Sequence, residues 1–219
     1  MGRTIKVTGK GSLSVKPDTI CLAIEAEGVY SEYEKAIQES ADQTKVLKES
    51  LEKSGLSGKD LKTKHFSIQS EYESYRDKND DYKRRFIGYK FAHHTEIIFP
   101  NDNQQLGRTL YALSHCPVEV EFTIHYTVAH PEDVKNELLK KAVADSRAKA
   151  EVLAESAGVK LGEIERIDYS WGELQIVSNP IEGFMTKSLL ATPDDAYDID
   201  IDADDIDVDD TVTIEWRIE

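Results

Sequence analysis

The stretch VKPDTICLAIEAEGVYSEYEKAIQESADQTKVLKESLEKSG, residues 15–55, decides the fold because its hydrophobic period changes partway along. Apolar and polar residues alternate from Val15 to Ala26, which predicts a half-buried β-strand. Apolar residues then recur every three or four positions, which predicts a long helix that stops at Ser54-Gly55. Ser31 and Glu34 have capping-box spacing at its start. The predicted buried stripe of this helix comprises Tyr33, Ile37, Ala41, Thr44, Leu47 and Leu51.

Two further strands follow the helix, and a charged loop from Arg76 to Arg85 separates them. A short helix around 106–113 then leads to an alternating strand over 118–128. Pro131 suits the first turn of a second long helix, which stops at Gly158. The predicted buried stripe of this second helix is rich in small residues and comprises Val134, Leu138, Ala142, Ser146, Ala150, Leu153 and Ala157.

A strand over 163–176, an irregular segment and a last alternating strand over 206–218 complete the chain. The order strand, helix, strand, strand therefore occurs twice. It predicts an α+β fold, a two-layer sandwich of two βαββ-like halves with antiparallel sheets and two long helices. We expect a single domain over residues 1–219, with sub-halves 12–100 and 115–219.

The charge balance bears on the partners that the protein can have. Against 27 Lys and Arg stand 42 Asp and Glu, a net charge of −15, which repels phosphate backbones and predicts no nucleic-acid partner. No stretch approaches the ~18 apolar residues of a membrane span, so we expect no membrane insertion. The first residues lack the apolar core of a secretory signal, which predicts a cytoplasmic protein as given, or a periplasmic or secreted one if an export signal was removed.

Three stretches together resemble the SIMPL domain family. The first is Val7-Thr8-Gly9-Lys10-Gly11 followed by Pro17-Asp18, and the second is Gly88-Tyr89 at the opening of a strand. The third and most specific runs from Ser146 to Ala154 in an Ala-rich helix, followed by Gly158 and Leu161-Gly162. The closing alternation from Ile206 to Ile218 also fits.

The resemblance covers nearly the whole chain and implies an α+β fold. It also implies ring-like or larger oligomers in some members and an association of these bacterial proteins with oxidative stress or envelope function. It implies no catalytic residues. The chain departs from many bacterial members by lacking a signal peptide and by carrying an Asp-rich run before its last strand.

The candidate sites for chemistry are weak. Gly9-Lys10-Gly11 precedes a strand and not a helix, which excludes a dinucleotide loop and favours a turn or strand crossing. His93 and His94 have opposite strand parity and cannot share a metal ion, while His115-Cys116 could belong to a metal or redox centre. Cys21 and Cys116 are predicted to be buried free thiols. We assign no catalytic residue and no cofactor.

One segment combines basic and aromatic residues, the composition of many protein interfaces. It is the predicted loop between the two strands that follow the first helix, and a solvated hairpin tip would have the same composition. Its candidate interaction residues are Tyr75, Arg76, Tyr82, Arg84 and Arg85.

Two functions are compatible with these patterns. The favoured one is a non-enzymatic interaction or assembly protein, a homo-oligomer with a further protein partner, associated with stress by resemblance. The alternative is a metal-binding or redox protein that uses His115, Cys116 and other histidines. Edge strands of antiparallel sheets favour the first, because their unpaired backbone groups are available to another chain.

The Asp-rich run before the last strand contains no Lys or Arg. Asp198, Asp200 and Asp202 have the first three ligand spacings of a calcium loop, but Ala203 stands where that loop needs Gly and Asp209 replaces its bidentate Glu. Strand pairing with the carboxylates facing water is the favoured alternative.

We predict that millimolar calcium modestly raises the melting temperature of the protein without being required for folding. Crowded carboxylates repel one another, and a cation relieves that repulsion. Calorimetric titration and thermal unfolding with and without calcium measure the effect. No binding heat together with an unchanged melting temperature would contradict the prediction, and tight stoichiometric binding would indicate a dedicated site.

Overall fold

A computed structural model describes residues 3–78, 80–170, 176–179, 185–186 and 202–219. Antiparallel strands and helices alternate along the chain, which confirms the predicted α+β class. The elements are β1 (Thr4–Val15), β2 (Thr19–Tyr30), α1 (Tyr33–Lys53), β3 (Lys62–Arg76), β4 (Tyr82–Pro100), α2 (Asn103–Ser114), β5 (Glu121–Thr127), α3 (Pro131–Ser156), β6 (Leu161–Asp168), β7 (Met185–Thr186) and β8 (Ile206–Ile218).

The chain folds into two compact units, each assembled from separate segments. The first comprises residues 1–18, 127–178 and 204–219, and the second comprises residues 19–126 and 179–203. The division into sub-halves 12–100 and 115–219 stays a prediction about the order of elements along the chain.

The first unit is a three-stranded antiparallel sheet, in the order β1-β8-β6, with α3 on one face. Strand β8 alternates along most of its length: its apolar residues face the helix and most of its polar residues face away, whereas Asp210, which pairs with Gly11, lies on the helix side. Thr8 and Thr213 hydrogen-bond across the polar face at 2.9 Å. The residues buried against α3 from β1 and β8 include Val7, Ile206, Val208, Val212, Ile214 and Trp216.

Two glycines of β1 let α3 approach the strand at backbone distance. A Cβ added to Gly9 would lie 2.7 Å from the Cβ of Ser146 and would overlap the carbonyl of Ala142. A Cβ on Gly11 would overlap the carbonyl of Leu138 in the same way. The predicted turn or strand crossing at Gly9-Lys10-Gly11 is therefore wrong. These residues form the middle of a continuous strand that contacts a helix.

Side chains of α3 also cover the outer edge of β1. The Lys10 N–H donates to Asp145 Oδ2 at 2.7 Å, and Lys149 Nζ donates to the Thr8 carbonyl at 3.5 Å. Lys141 Nζ donates to the Ser12 carbonyl at 3.3 Å. Four residues of a helix advance by about 6.0 Å and two residues of a strand by about 6.6 Å. Every fourth residue of α3, from Lys141 to Lys149, can therefore bond to every second residue of β1, and we call this series of bonds the α3 ladder. Hydrogen bonds from Lys149 and from the Lys10 backbone lower the pKa of Asp145.

The second unit is a five-stranded sheet, in the order β3-β4-β2-β5-β7, on which α1 packs. The predicted row Ile20, Leu22, Ile24 and Ala26 is buried, as the alternation indicated. Helix α2 packs beside α1 and begins at Asp102, whose side chain accepts from the Gln104 N–H at 2.8 Å. Each unit thus consists of a helix layer on an antiparallel sheet, as predicted.

Several boundaries differ from those predicted. Pro17 divides the predicted strand of 15–26, so that β1 ends at Val15 and β2 begins at Thr19. The predicted strand over 163–176 ends at Asp168. The predicted charged loop of 76–85 is shorter in the structure, because β3 continues to Arg76 and β4 begins at Tyr82.

The helix predictions were right in position and wrong in detail. Helix α3 begins at Pro131, as predicted, but α1 is capped at Glu32 with no side-chain hydrogen bond, so the capping box of Ser31 and Glu34 is wrong. Much of each predicted stripe is buried as predicted, namely Leu47 and Leu51 of α1 and Leu138, Ala142, Ser146 and Ala150 of α3. The stripes differ where small polar and Ala positions pack closest to the sheets. Tyr33, Ile37 and Leu153 are exposed, whereas Ala36, Ser40, Ser50 and Ala154 are buried.

None of the helices in the described parts of the chain combines the length and apolarity needed to cross a bilayer. Cys21 and Cys116 form no disulfide, as predicted, and Cys116 is buried whereas Cys21 is only partly so.

We predict that Gly9→Ala lowers the free energy of unfolding by about 2 kcal/mol or more, because the new methyl meets helix backbone that cannot rotate away. Urea unfolding followed by circular dichroism measures the change. Ser12→Ala, an exposed position of the same strand, is the matched control and should change stability by less than about 0.5 kcal/mol. Equal stability of the Gly9 variant and the control would show that α3 does not depend on this contact.

Candidate interaction surface

Strands β3 and β4 run past the end of β2 and form a two-stranded ribbon, residues 71–87. The last residue pair of β2 with β4 is Tyr30 with Tyr89, whereas β3 and β4 continue to pair as far as Arg76 with Tyr82. At the base of the ribbon, Gly88 has φ +149° and approaches the Tyr30 carbonyl too closely for a side chain. The register also shifts between Glu71 and Tyr72 at this point. The ribbon therefore begins at a bulge that only glycine accommodates.

One face of the ribbon joins aromatic rings to guanidinium groups. Arg84 lies over the Tyr72 ring at 5.0 Å, and Arg76 lies over the Tyr82 ring at 4.7 Å. Phe86 meets Tyr72 edge to face, with ring centroids 5.6 Å apart. Arg76 also pairs with Asp80 in the turn at 2.7 Å, and Tyr82 is 74% exposed. We call this surface the aromatic–arginine face.

The opposite face of the ribbon is held by ion pairs. Arg85 pairs with Glu73 and lies 6.0 Å from the Tyr75 ring, while Lys83 pairs with Asp77. These charges compensate one another, so the two faces differ in chemistry although they share one backbone.

All five interaction residues predicted from the sequence lie on the ribbon. Arg76, Tyr82 and Arg84 lie on the aromatic–arginine face, whereas Tyr75 and Arg85 lie on the other. Sequence reasoning missed Phe86 on this face, because it placed a loop where the strands continue. Period-two alternation from Tyr82 to Phe86 was the signal that could have found it.

The ribbon also differs in charge from the rest of the chain. It contains five basic residues, Arg76, Lys78, Lys83, Arg84 and Arg85, and five acidic residues, Glu71, Glu73, Asp77, Asp80 and Asp81. Its net charge is therefore zero, and the whole excess of −15 lies elsewhere. Self-repulsion between two copies is weakest where neither carries net charge.

The adjacent histidines lie on opposite faces of β4, as predicted. The ring nitrogens of His93 lie 3.0 Å from Thr44 Oγ1 and 2.9 Å from Thr63 Oγ1, and burial lowers the pKa of this ring. His94 Nε2 lies 3.3 Å from Glu25 Oε1 on the other face. Each of the two imidazole rings therefore has a polar partner within the fold.

An acidic pocket lies beside His94. Glu25, Glu27, Glu119 and Glu121 line a cavity of about 200 Å³, and burial raises the pKa of Glu25 while His94 opposes that rise. Lys90 pairs with Glu27 at 2.5 Å. Lys90 thus compensates part of the negative charge.

The predicted metal candidates do not converge in the structure. Cys116 is buried in the core. Nδ1 of the exposed His115 lies 2.9 Å from the Tyr111 carbonyl, which accepts, and 3.0 Å from the Ser114 hydroxyl, both at the end of its own helix. Of the calcium candidates, Asp198 and Asp200 lie outside the described residues, and Asp202 is exposed. Over the described ranges, no three His, Cys, Asp or Glu side chains form a metal-binding group.

Cys21 sits beside a carboxylate on the face of the second sheet away from α1. Burial, followed by the hydrogen bond and the negative charge of Glu96, raises the pKa of the Cys21 thiol to about 12. Lys64 pairs with Glu96 at 2.8 Å and only partly offsets this. Nucleophilic and redox chemistry of cysteine proceeds through the thiolate, which this environment disfavours.

Comparison with known proteins agrees with the family resemblance seen in the sequence. The sequence profile of the SIMPL family, described as a protein of unknown function (DUF541), matches residues 5–216. The "26 kDa periplasmic immunogenic protein" of Brucella melitensis biotype 1 is 29% identical over 199 residues, which are 89% of this chain and 77% of that relative. The protein of the same description from Brucella abortus strain S19 has the same identity and coverage.

We predict that Cys21 reacts slowly with iodoacetamide, and that the rate still rises about tenfold per pH unit between pH 8 and 10. A thiol with a pKa of about 12 is about one part in a thousand ionised at pH 9, and its thiolate fraction grows with pH throughout this range. Cys116→Ala removes the competing thiol, and Glu96→Gln should accelerate the reaction. A rate that levels off near pH 9 would contradict the prediction.

Proposed function

The chain belongs to the SIMPL family, and from this premise we propose that it is a non-enzymatic interaction and assembly protein of the bacterial envelope that works as a homo-oligomer. The two Brucella relatives are named periplasmic proteins, which supports a periplasmic location for this chain as well. The association with oxidative stress is part of the same proposal and rests on the family resemblance.

The observation that carries the proposal is the aromatic–arginine face. Tyrosine and arginine supply large, partly apolar contact areas with few side-chain rotations, and they dominate the energetic centres of protein interfaces. Here Tyr72, Tyr82 and Phe86 are 43%, 74% and 44% exposed, with arginines already stacked on two of the three rings. Stacking orders these side chains in advance, which reduces the entropy lost on binding.

The position of this face on a ribbon supports the same function. Two strands that extend past their sheet bury little of their own surface, and an isolated hairpin is only marginally stable in water. Ion pairs and stacked rings hold the ribbon in this conformation. A partner that covers the aromatic–arginine face would stabilise the ribbon further, since binding to the folded state adds to its stability.

Metal analysis of the purified protein distinguishes this proposal from the metal or redox alternative. The proposal expects zinc, copper and iron at well below one equivalent per chain. Stoichiometric metal that is lost on His115→Ala or Cys116→Ser would replace the assembly function with metal binding.

We predict that the protein has a solution mass above the 24.7 kDa of one chain and that Tyr82→Ser with Phe86→Ser lowers it toward one chain. Loss of two interface aromatics should weaken association at least tenfold, since such residues cost about 2 kcal/mol each when truncated. Light scattering over a micromolar concentration series measures the mass.

The matched control is Val152→Ser, because Val152 is 62% exposed on α3 and lies outside the ribbon. It should leave the mass unchanged. A strictly monomeric mass of the unaltered chain, over a wide range of concentration and salt, would refute the proposal. An equal effect of the control would move the interface away from the ribbon.

A further inference from the structure

Strand β3 is an edge strand, and its outer edge is uncovered, unlike that of β1. It is the terminal strand of the order β3-β4-β2-β5-β7. Side chains of α3 bond to the outer backbone groups of β1, whereas no hydrogen bond from the described residues reaches the outer edge of β3. An uncovered edge of this kind is a template for another strand.

The usable part of this edge is long and regular. The register shift near its start places the extra residue at Lys64, and the shift at the ribbon places the extra residue in β4, at Ile87. Strand β3 is therefore continuous from His65 to Arg76. Twelve residues extend over about 40 Å, and a two-fold axis near the middle of this stretch leaves enough residues on each side for an intermolecular ladder.

Charge is distributed unequally along this strand. Its first part carries Lys62, Lys64 and His65, and its later part carries Glu71 and Glu73 before it ends at Arg76. A partner strand that runs antiparallel and has the same sequence can bring His65 opposite Glu73, while Lys62 and Arg76 lie outside the regular part of the ladder. A parallel copy would instead place like charges side by side, which is unfavourable.

The apolar side chains of β3 also favour antiparallel pairing with a second copy. Phe66 and Tyr72 lie on one face of β3, six positions apart, and are 44% and 43% exposed. When Gln69 stands opposite its own copy, each Phe66 meets Tyr72 of the partner subunit, and each His65 meets Glu73 of the partner subunit. Aromatic pairs and opposite charges are the cross-strand pairs that stabilise antiparallel sheets.

We propose that β3 is a self-recognition edge, at which a second copy of this chain adds antiparallel with Gln69 on the two-fold axis. The inference rests on the proposed assembly function and names its partner and its register. A two-fold contact of this kind uses the same surface on both copies, so a single sequence satisfies both sides. It also continues the second sheet from one copy into the next.

The two-fold axis makes the register measurable. Residues directly opposite have Cα atoms about 4.5–5.5 Å apart, within the range of a disulfide, and Gln69 alone faces its own counterpart. Ser67 stands on the same face two positions away, but its counterpart lies four residues further along the partner strand, about 13 Å.

Cross-linking of full-length chains tests the inference. Gln69→Cys and Ser67→Cys are each introduced with Cys21→Ser and Cys116→Ala, oxidised at micromolar concentration, and compared on non-reducing gels. We expect at least ten times more covalent dimer for the first than for the second. A mixture of Ser67→Cys with Glu71→Cys chains should also form the mixed dimer. Circular dichroism verifies folding. If the altered background does not fold, the same variants retain Cys21 and Cys116, and mass spectrometry identifies the joined peptides.

The outcomes separate this inference from the assembly function. Equal cross-linking at positions 67 and 69 would overturn the register. A large solution mass of the unaltered chain with no cross-link at any of the three positions would place the interface elsewhere and leave the assembly function standing. A monomeric mass of the unaltered chain would overturn both.

Discussion

The close contact between α3 and β1 is the interaction on which the first unit depends. Two positions without side chains, Gly9 and Gly11, let the helix backbone approach the strand. That approach brings Asp145 and Lys149 within reach of outward backbone groups that would otherwise lack partners. One pair of glycines therefore supports both the packing of the helix and the closure of the edge.

The outer edge of β1 is covered by α3, whereas the outer edge of β3 is open. Sheet edges in natural proteins are usually protected by charge, bulges or a covering element, because an open edge invites a second strand. The α3 ladder protects β1, whereas β3 offers a long regular edge and then continues into a ribbon with exposed aromatic rings. Edge pairing and the aromatic–arginine face could act together, since both belong to the same two strands and each adds area to one contact.

Electrostatics explains why the acidic chain tolerates its own Asp-rich strand. On the polar face of the first sheet, Asp207 accepts from Ser14 at 2.6 Å and Asp209 pairs with Lys10 at 2.9 Å. Asp210 accepts from the Tyr169 hydroxyl at 2.7 Å, which raises the pKa of that hydroxyl. Asp207 and Asp209 face outward, as the alternation of Ile206 and Val208 indicated, whereas Asp210 lies on the helix side of the strand. All three have local partners that lessen mutual repulsion.

The sequence by itself determined which residues form strands and helices, and which face of each is apolar, because hydrophobic periodicity is a local property of the chain. It therefore identified β2, α3 and β8 and the residues of the ribbon. Only the tertiary structure decided what covers each face. The sequence predicted a turn at Gly9, whereas the structure places α3 against it. It also predicted that Leu153 is buried, whereas Ala154 is the buried residue. The joining of β1 to β8, some two hundred residues away, and the opening of β3 at an edge follow from backbone pairing, which leaves little trace in the order of side chains.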